Sequence, residues 1–454
     1  MKKYKYILCL LPAFLLASCN FSYTYVIDGV EMGETDEDED DFDDSGSYKI
    51  KVWVDQKIKT LTESQIEAFV TENPKYKITA DVQAVSEGNA TSNMLLDVSD
   101  GADIFVFAQD QLARLKVAGA LGKITDKFAD FIVENNSADS VKAASLSDGI
   151  YAYPLTSDNG YFLMYDKRIY SENEVGNITT MINKIKGTNS KLYFKAQSDG
   201  FYTASYFLAK EKGHPEQDSL CKCDWKLDEI TGQFTEYSDT FGDDNGLIAA
   251  KGIKEIADKA LVASDNSVSK FAPGTGNASG TTAAAVVTGI WDYEAAYNRL
   301  GIKDDKGNIV DSYLGCAEMP CYRVGDKEYH LGSYDGYKLM GVKPQTTKKR
   351  TSVCRKLARY LTSESCQTER FHEVSWGPTN INSSKNPGVI SHPGLAALAK
   401  QHEYATQQGQ CPGDWFLSLK TAAGSISANS TDAQLTQILK NYKDGLKDLL
   451  SDAD

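Results

Sequence analysis

Side chains suited to holding a flat, hydroxyl-rich molecule recur at a few places in this 454-residue sequence. Trp291 and Trp415 each stand two residues after a glycine, Gly289 and Gly413, a setting of exposed turns, and Trp53, Trp225 and Trp376 complete the five tryptophans. Asp110, flanked by Gln109 and Gln111, follows the apolar run 104–107, Asp158 follows Tyr-Pro-Leu-Thr-Ser, Tyr202 lies in Asp199-Gly-Phe-Tyr, and Lys57 stands just past a strand-like segment. Aromatic faces stack on the C–H faces of pyranose rings, carboxylates accept hydrogen bonds from vicinal hydroxyls, lysine donates and glutamine does both. Asp110 with Asp158 would also describe the carboxylate pair of a surface glycoside hydrolase, but no catalytic motif accompanies them. Cys221-Lys-Cys223 and Cys316-x4-Cys321 are not zinc spacings and no histidine stands at a useful interval beside them, so neither a metal nor a cofactor is expected.

The elements that must carry these groups follow from hydrophobic periodicity. Tyr48, Ile50, Val52 and Val54 alternate with mostly polar neighbours over 47–55, which predicts a strand. Thr62 and Gln65 form a capping-box pattern, and Leu61, Ile66, Phe69 and Val70 give helical spacing until Asn73-Pro74. A second strand over 77–85, a second helix over 89–98 and a short apolar strand over 102–107 complete a strand–helix–strand–helix–strand rhythm. Such a rhythm predicts a mostly parallel α/β sheet with helices on both faces and ligands beyond the carboxyl ends of its strands, where Asp110 stands.

The two ends of the composition set the compartment and the domain count. Lys2, Lys3 and Lys5 precede an apolar run of about ten residues, half the roughly twenty needed to span a bilayer, so 1–18 reads as a signal peptide. Leu16-Ala17-Ser18-Cys19 resembles the lipobox of bacterial lipoproteins, which implies cleavage before Cys19 and a diacylglyceryl group on its sulfur, two chains that anchor stably where one would not. Residues 19–46 contain nine carboxylates in the eleven positions 34–44 and read as a solvated, flexible tether; the glycine turn and ligand spacing of a calcium loop are missing. The remaining ~400 residues exceed one ordinary hydrophobic core, so two lobes are expected. The net charge of −15 comes substantially from the tether, and no basic patch points to nucleic acid. Seven cysteines follow Cys19, an odd number whose pairing the sequence leaves open.

A whole-chain resemblance joins these readings. Gly101-Ala-Asp-Ile followed by apolar residues and Asp110, then a helix ending Ala118-Gly-Ala-Leu121, resembles the maltose-binding-protein-like extracellular solute-binding proteins. Further patches keep step in order: 149–158 with 161–167 resembles the crossover into a second lobe, 283–292 a small-residue strand ending in a cleft tryptophan, 331–341 the return strand, and 353–362 with 375–380 a helix and proline-bearing loop re-entering the second lobe. The chain departs from the best-known sugar binder in having Gln111 where a basic residue follows the aspartate, and in a crossover longer by one residue. The resemblance implies a two-lobe periplasmic-binding-protein-like fold with two hinge-like connections: 47–156 and 329–377 in lobe 1, 157–328 and 378–454 in lobe 2. It implies that Trp53, Lys57, Asp110, Gln111, Asp158, Tyr202, Trp291, Trp376 and Trp415 surround the cleft, and that Trp225 packs within a lobe. It further implies a monomer that captures an oligosaccharide, maltodextrin-like in kind, by hinge closure and delivers it to ABC importer permease subunits, touching the membrane only through its lipid. A non-sugar solute on the same fold is the alternative ligand.

Overall fold

The computed structural model describes residues 43–275 and 279–451 together with two short strands, Val26–Ile27 and Val30–Glu31, which pair antiparallel. The signal segment, Cys19 and most of the acidic run lie outside the described residues.

Two five-stranded sheets organise the described residues from 44 to 451. The first has the order Tyr76–Ala84, Gly46–Val54, Ile104–Ala108, Lys338–Val342, Ala152–Thr156. Only Lys338–Val342 runs against the other four. The second repeats the plan with Val262–Ala263, Ser190–Tyr193, Thr282–Thr288, Phe162–Asp166 and Leu314–Ala317, and Phe162–Asp166 is its reversed strand. Each lobe is thus a mostly parallel α/β sheet, as expected.

Burial on both faces explains the residue choice. Along the first sheet Ile50, Val52, Ile104 and Val106 enter one apolar cluster, while Trp53, Phe105 and Phe107 enter another on the opposite face. This is the period of two that a strand imposes.

Three local expectations change. The helix Lys59–Glu72 begins a turn before Thr62, whose hydroxyl donates to the Ile58 carbonyl, while the Gln65 amide donates to the Cys366 carbonyl and Glu369. The Thr-x-x-Gln pattern therefore serves helix packing rather than a cap. The chain also passes between the sheets three times, at 157–161, 331–337 and 375–386, because helix Glu364–Val374 packs with the first sheet's helices and Pro393–His402 with strands of the second. Lastly, Asp44 is no part of a solvated tether.

Asp44 is fully buried and accepts hydrogen bonds from Ser352 Oγ (2.7 Å) and Tyr76 OH (2.9 Å) and ion pairs from Lys356 (2.5 Å) and Lys75 (3.2 Å). Burial alone would raise its pKa; Lys356, Ser352, Tyr76 and Lys75 outweigh it and hold the carboxyl well below the usual range. A depressed folded-state pKa contributes stability that is present above the ordinary carboxylate value and lost as pH falls toward the folded value. Asp44→Ala should therefore cost roughly 3 kcal/mol in urea unfolding at pH 7, because two lysines lose a buried partner. The gap to the parent should narrow steadily below about pH 4.

Candidate functional site

The carboxyl ends of the parallel strands deliver the polar groups. Gly46–Val54 leads to Lys57, Tyr76–Ala84 to Glu87, Ile104–Ala108 to Asp110, Ala152–Thr156 to Asp158, and in the second sheet Thr282–Thr288 leads to Trp291 and Asp292. Lys338 opens its reversed strand opposite both Ala108 and Thr156, so it joins the same rim.

Two charged groups on this rim are buried as a pair. Lys338 Nζ lies 3.2 Å from Glu87 Oε1 and 3.7 Å from the centre of the Trp376 ring, with side chains 7% and 16% exposed for the lysine and glutamate. Burial opposes both charges, but each is the other's main compensation: Lys338 holds Glu87 below its usual range, and Glu87 with Asp158 holds Lys338 above its own. Above this pair the lobes touch: Lys57 Nζ donates to the Trp291 carbonyl and lies 3.8 Å from Asp292, which Thr288 Oγ1 fixes at 2.7 Å.

Asp110 occupies a different position on the rim. It is 6% exposed; Oδ2 accepts from Gln111 Nε2 (2.6 Å), and Oδ1 has no partner among the described residues. Burial pushes its pKa up, with the Gln111 bond offsetting part of the effect. Gln111 in turn accepts from Arg114 (3.1 Å), and the Gln109 amide donates to the Gln408 carbonyl (2.8 Å) while its carbonyl receives Gln410 Nε2 (2.9 Å). The loop 405–414 therefore lies against Asp110.

An aromatic wall completes the site. Phe201 stacks on Tyr334 at 5.4 Å and meets Phe416 edge-on at 6.1 Å. The approach depends on Gly200, where a Cβ would fall 1.9 Å from the Phe416 carbonyl oxygen. Phe201 and Phe416 are half-buried. Tyr334, Phe416, Trp415 and Trp225, with Gln408 and Gln410, line a cavity of about 360 Å³.

Several sequence-based expectations are corrected. Trp53 is core: its ring packs with Ala90 and Met94 and its N–H goes to Gln83 Oε1 (2.9 Å). Trp415 is 4% exposed and bonded to Tyr442 OH (2.9 Å), so it borders the cavity from within the core, and its half-buried neighbour Phe416 is the more open ring. Tyr202 is likewise buried and its hydroxyl accepts from Asn266, leaving Phe201 as the outward residue. Trp376 is 2% exposed beneath Lys338. Asp158 is fully buried, accepting from Thr156 Oγ1 (2.7 Å) and the Gly377 amide (2.8 Å), and thus ties one crossing segment to another instead of facing a ligand. Lys57, Asp110, Gln111 and Trp291 remain at least partly accessible or unpartnered on the rim. Glu87, Asp292, Phe201, Tyr334, Lys338 and Phe416 stand on the rim or in the aromatic wall without having been singled out from the sequence; a lone lysine in the apolar run Tyr-Lys-Leu-Met was the one local signal. The seven cysteines are free thiols, and no cluster among the described residues is placed to hold a metal ion.

Two sheets of this topology, with polar groups at the facing strand ends, define a two-lobe solute-binding protein. The chain belongs to the bacterial extracellular solute-binding protein family, whose model matches residues 64–397. Its place of work is accordingly outside the cytoplasm. Three solved structures share the fold. The acarbose-binding study of the GacH receptor of Streptomyces glaucescens gives 18% identity and a TM-score of 0.66 over 89% of this chain and 98% of that one. The maltodextrin-binding protein MalE1 of L. casei gives 16% and 0.65 over 90% and 99%. MalX of Streptococcus pneumoniae, solved with maltopentaose, gives 13% and 0.64 over 88% and 99%. Comparison with curated protein sequences gives no match.

Lys338→Met should lower unfolding stability by about 3 kcal/mol, because Glu87 would stay buried without its cation. Asp110→Asn should act in the opposite sense. A raised folded-state pKa means stability that is present at acid pH and lost as pH rises through the folded value, so removing the charge raises the melting temperature at pH 7, with no gain near pH 3.

Proposed function

We propose that the protein captures an oligosaccharide, maltodextrin-like in kind, between its two lobes for an ABC importer. The observation that carries the reading is the half-buried aromatic wall of Phe201 and Phe416, taken with Asp110, a buried carboxylate with an acceptor oxygen to spare. Aromatic faces take the apolar side of a sugar ring, and a spare buried acceptor is satisfied by a hydroxyl donor. Fold relatives solved with acarbose and maltopentaose support the same ligand class.

Lobe 1 comprises 47–156 and 329–377, and lobe 2 comprises 157–328 and 378–454. Ligand contacts made from both lobes favour the closed form, and Lys57 reaching Trp291 and Asp292 adds a bridge present only when the lobes meet. The closed, loaded monomer docks on permease subunits, and the diacylated Cys19 keeps it at the membrane through the tether. Binding without hydrolysis is supported by Asp158: both its oxygens are taken by protein donors, so it does not serve as the partner carboxylate of Asp110 in a hydrolytic pair.

Linear maltodextrins should raise the melting temperature and change tryptophan fluorescence, and Phe416→Ala and Trp291→Ala should each weaken binding about tenfold or more in calorimetric titration. A broad glycan panel producing neither response would overturn the carbohydrate assignment. Cys19→Ser should release the protein from the membrane fraction and abolish its labelling by a fatty-acid analogue in cells.

A further inference from the structure

A β-hairpin of the second lobe reaches across to the first. Its strands, Cys223–Leu227 and Phe234–Asp239, pair antiparallel and are joined by 228–233. The tip is a built turn: Asp228 Oδ1 accepts the amides of Ile230 (2.8 Å) and Thr231 (3.0 Å), and Gly232 takes a φ of +73° that favours glycine. Two parts of this hairpin meet two different surfaces.

Its root lines the 360 Å³ cavity, where Cys223, Asp224 and Trp225 share the lining with Tyr334, Gln410 and Phe416. Its tip docks on the first lobe. The Glu229 carbonyl accepts from Lys116 Nζ at 3.0 Å, and the Glu229 carboxylate accepts from the Ser147 amide at 3.2 Å and from the Ser147 hydroxyl. Gly232 lies so close to the helix Leu112–Val117 that a Cβ there would come within 2.9 Å of a Val117 methyl. That helix starts two residues after Asp110, so the hairpin joins the cavity wall at its root to the element that Asp110 leads into at its tip.

We propose that this hairpin is a specificity element, an end stop that makes the protein select a chain terminus and so limits ligand length; the inference rests on the oligosaccharide reading. A polymer threading through would collide with the hairpin, whereas a chain that ends in the cavity fits. The volume agrees, standing at the low end of the roughly 300–1,000 Å³ range of small-ligand sites. Two residues of the cavity lining carry a buried polar atom without a partner among the described residues, the Tyr334 hydroxyl and Gln410 Oε1, and these match the extra hydroxyl that a terminal sugar carries over an internal one. The hydrogen bonds of the tip are polar and either exposed, at Ser147, or only part-buried, at Lys116, weak enough to release when the lobes part.

The test is calorimetric titration of the whole protein with linear maltodextrins of increasing length and with α-cyclodextrin, a ring of the same sugar that has no end. The parent is expected to bind short linear chains with affinity that stops rising with length, and the ring at least about tenfold more weakly. Replacing 228–233 by Asn-Gly, a turn that closes a hairpin, should reduce the linear-over-ring preference several-fold; Glu229→Ala, which leaves the hairpin fold alone, should shift it in the same direction. A ring bound by the parent as tightly as a short chain, or a preference unchanged in both variants, overturns the end stop while leaving sugar capture standing. Failure of every glycan to bind overturns both.

Discussion

One buried carboxylate, Asp158, ties together segments that join the two lobes. Asp158 sits where the chain first leaves the first sheet, and its oxygens take the Thr156 hydroxyl and the Gly377 amide, so two of the three crossing segments are held together. Burial pushes its pKa up, with Lys338, Thr156 and Gly377 offsetting part of that cost. The strand ends of the first sheet deliver Lys57, Glu87, Asp110 and Lys338, those of the second deliver Trp291, and the tied crossing lies between the two sets. The constraint also explains why a residue that looks like a ligand group in the sequence serves the hinge.

The rim combines groups of two kinds. Lys338, Glu87 and Trp376 form a closed set whose charges compensate one another, a floor that costs desolvation and returns a defined geometry. Asp110, Phe201, Phe416 and Trp291 form an open set with surface or acceptor capacity left over. In the proposed cycle only the open set does work on the ligand. A ligand shifts the balance between open and closed lobes by no more than its difference in affinity for the two forms, so contacts such as Lys57 with Trp291 reduce what the ligand itself must supply.

The architecture was legible because parallel α/β sheets write themselves locally: alternating apolar positions in Gly46–Val54, the doubly buried run Ile104–Ala108, and a polar residue just beyond each strand end. The site was legible only in part, and the errors share a cause. Trp415 and Phe416 open one helix, and Phe201 and Tyr202 stand in the first turn of another; neighbours on a helix point about 100° apart, so choosing the wrong one exchanges wall for core. Trp53 failed for the strand version of the same reason, since a one-residue step reverses the face. Glu87 and Lys338 meet only in the folded chain, far apart in sequence, and local pattern carries no sign of that. Asp44 was lost among eight other carboxylates because nothing near it announces Ser352 and Lys356, its partners from the far end of the chain.

The most direct test of capture between the lobes is a crystal structure with a bound maltodextrin. The expected result is a sugar ring over Phe416 or Trp291 and a ligand hydroxyl within hydrogen-bonding distance of Asp110 Oδ1, with the lobes closed around it. A ligand seated on an outer face of either lobe, with Asp110 and the aromatic wall untouched, would contradict the account.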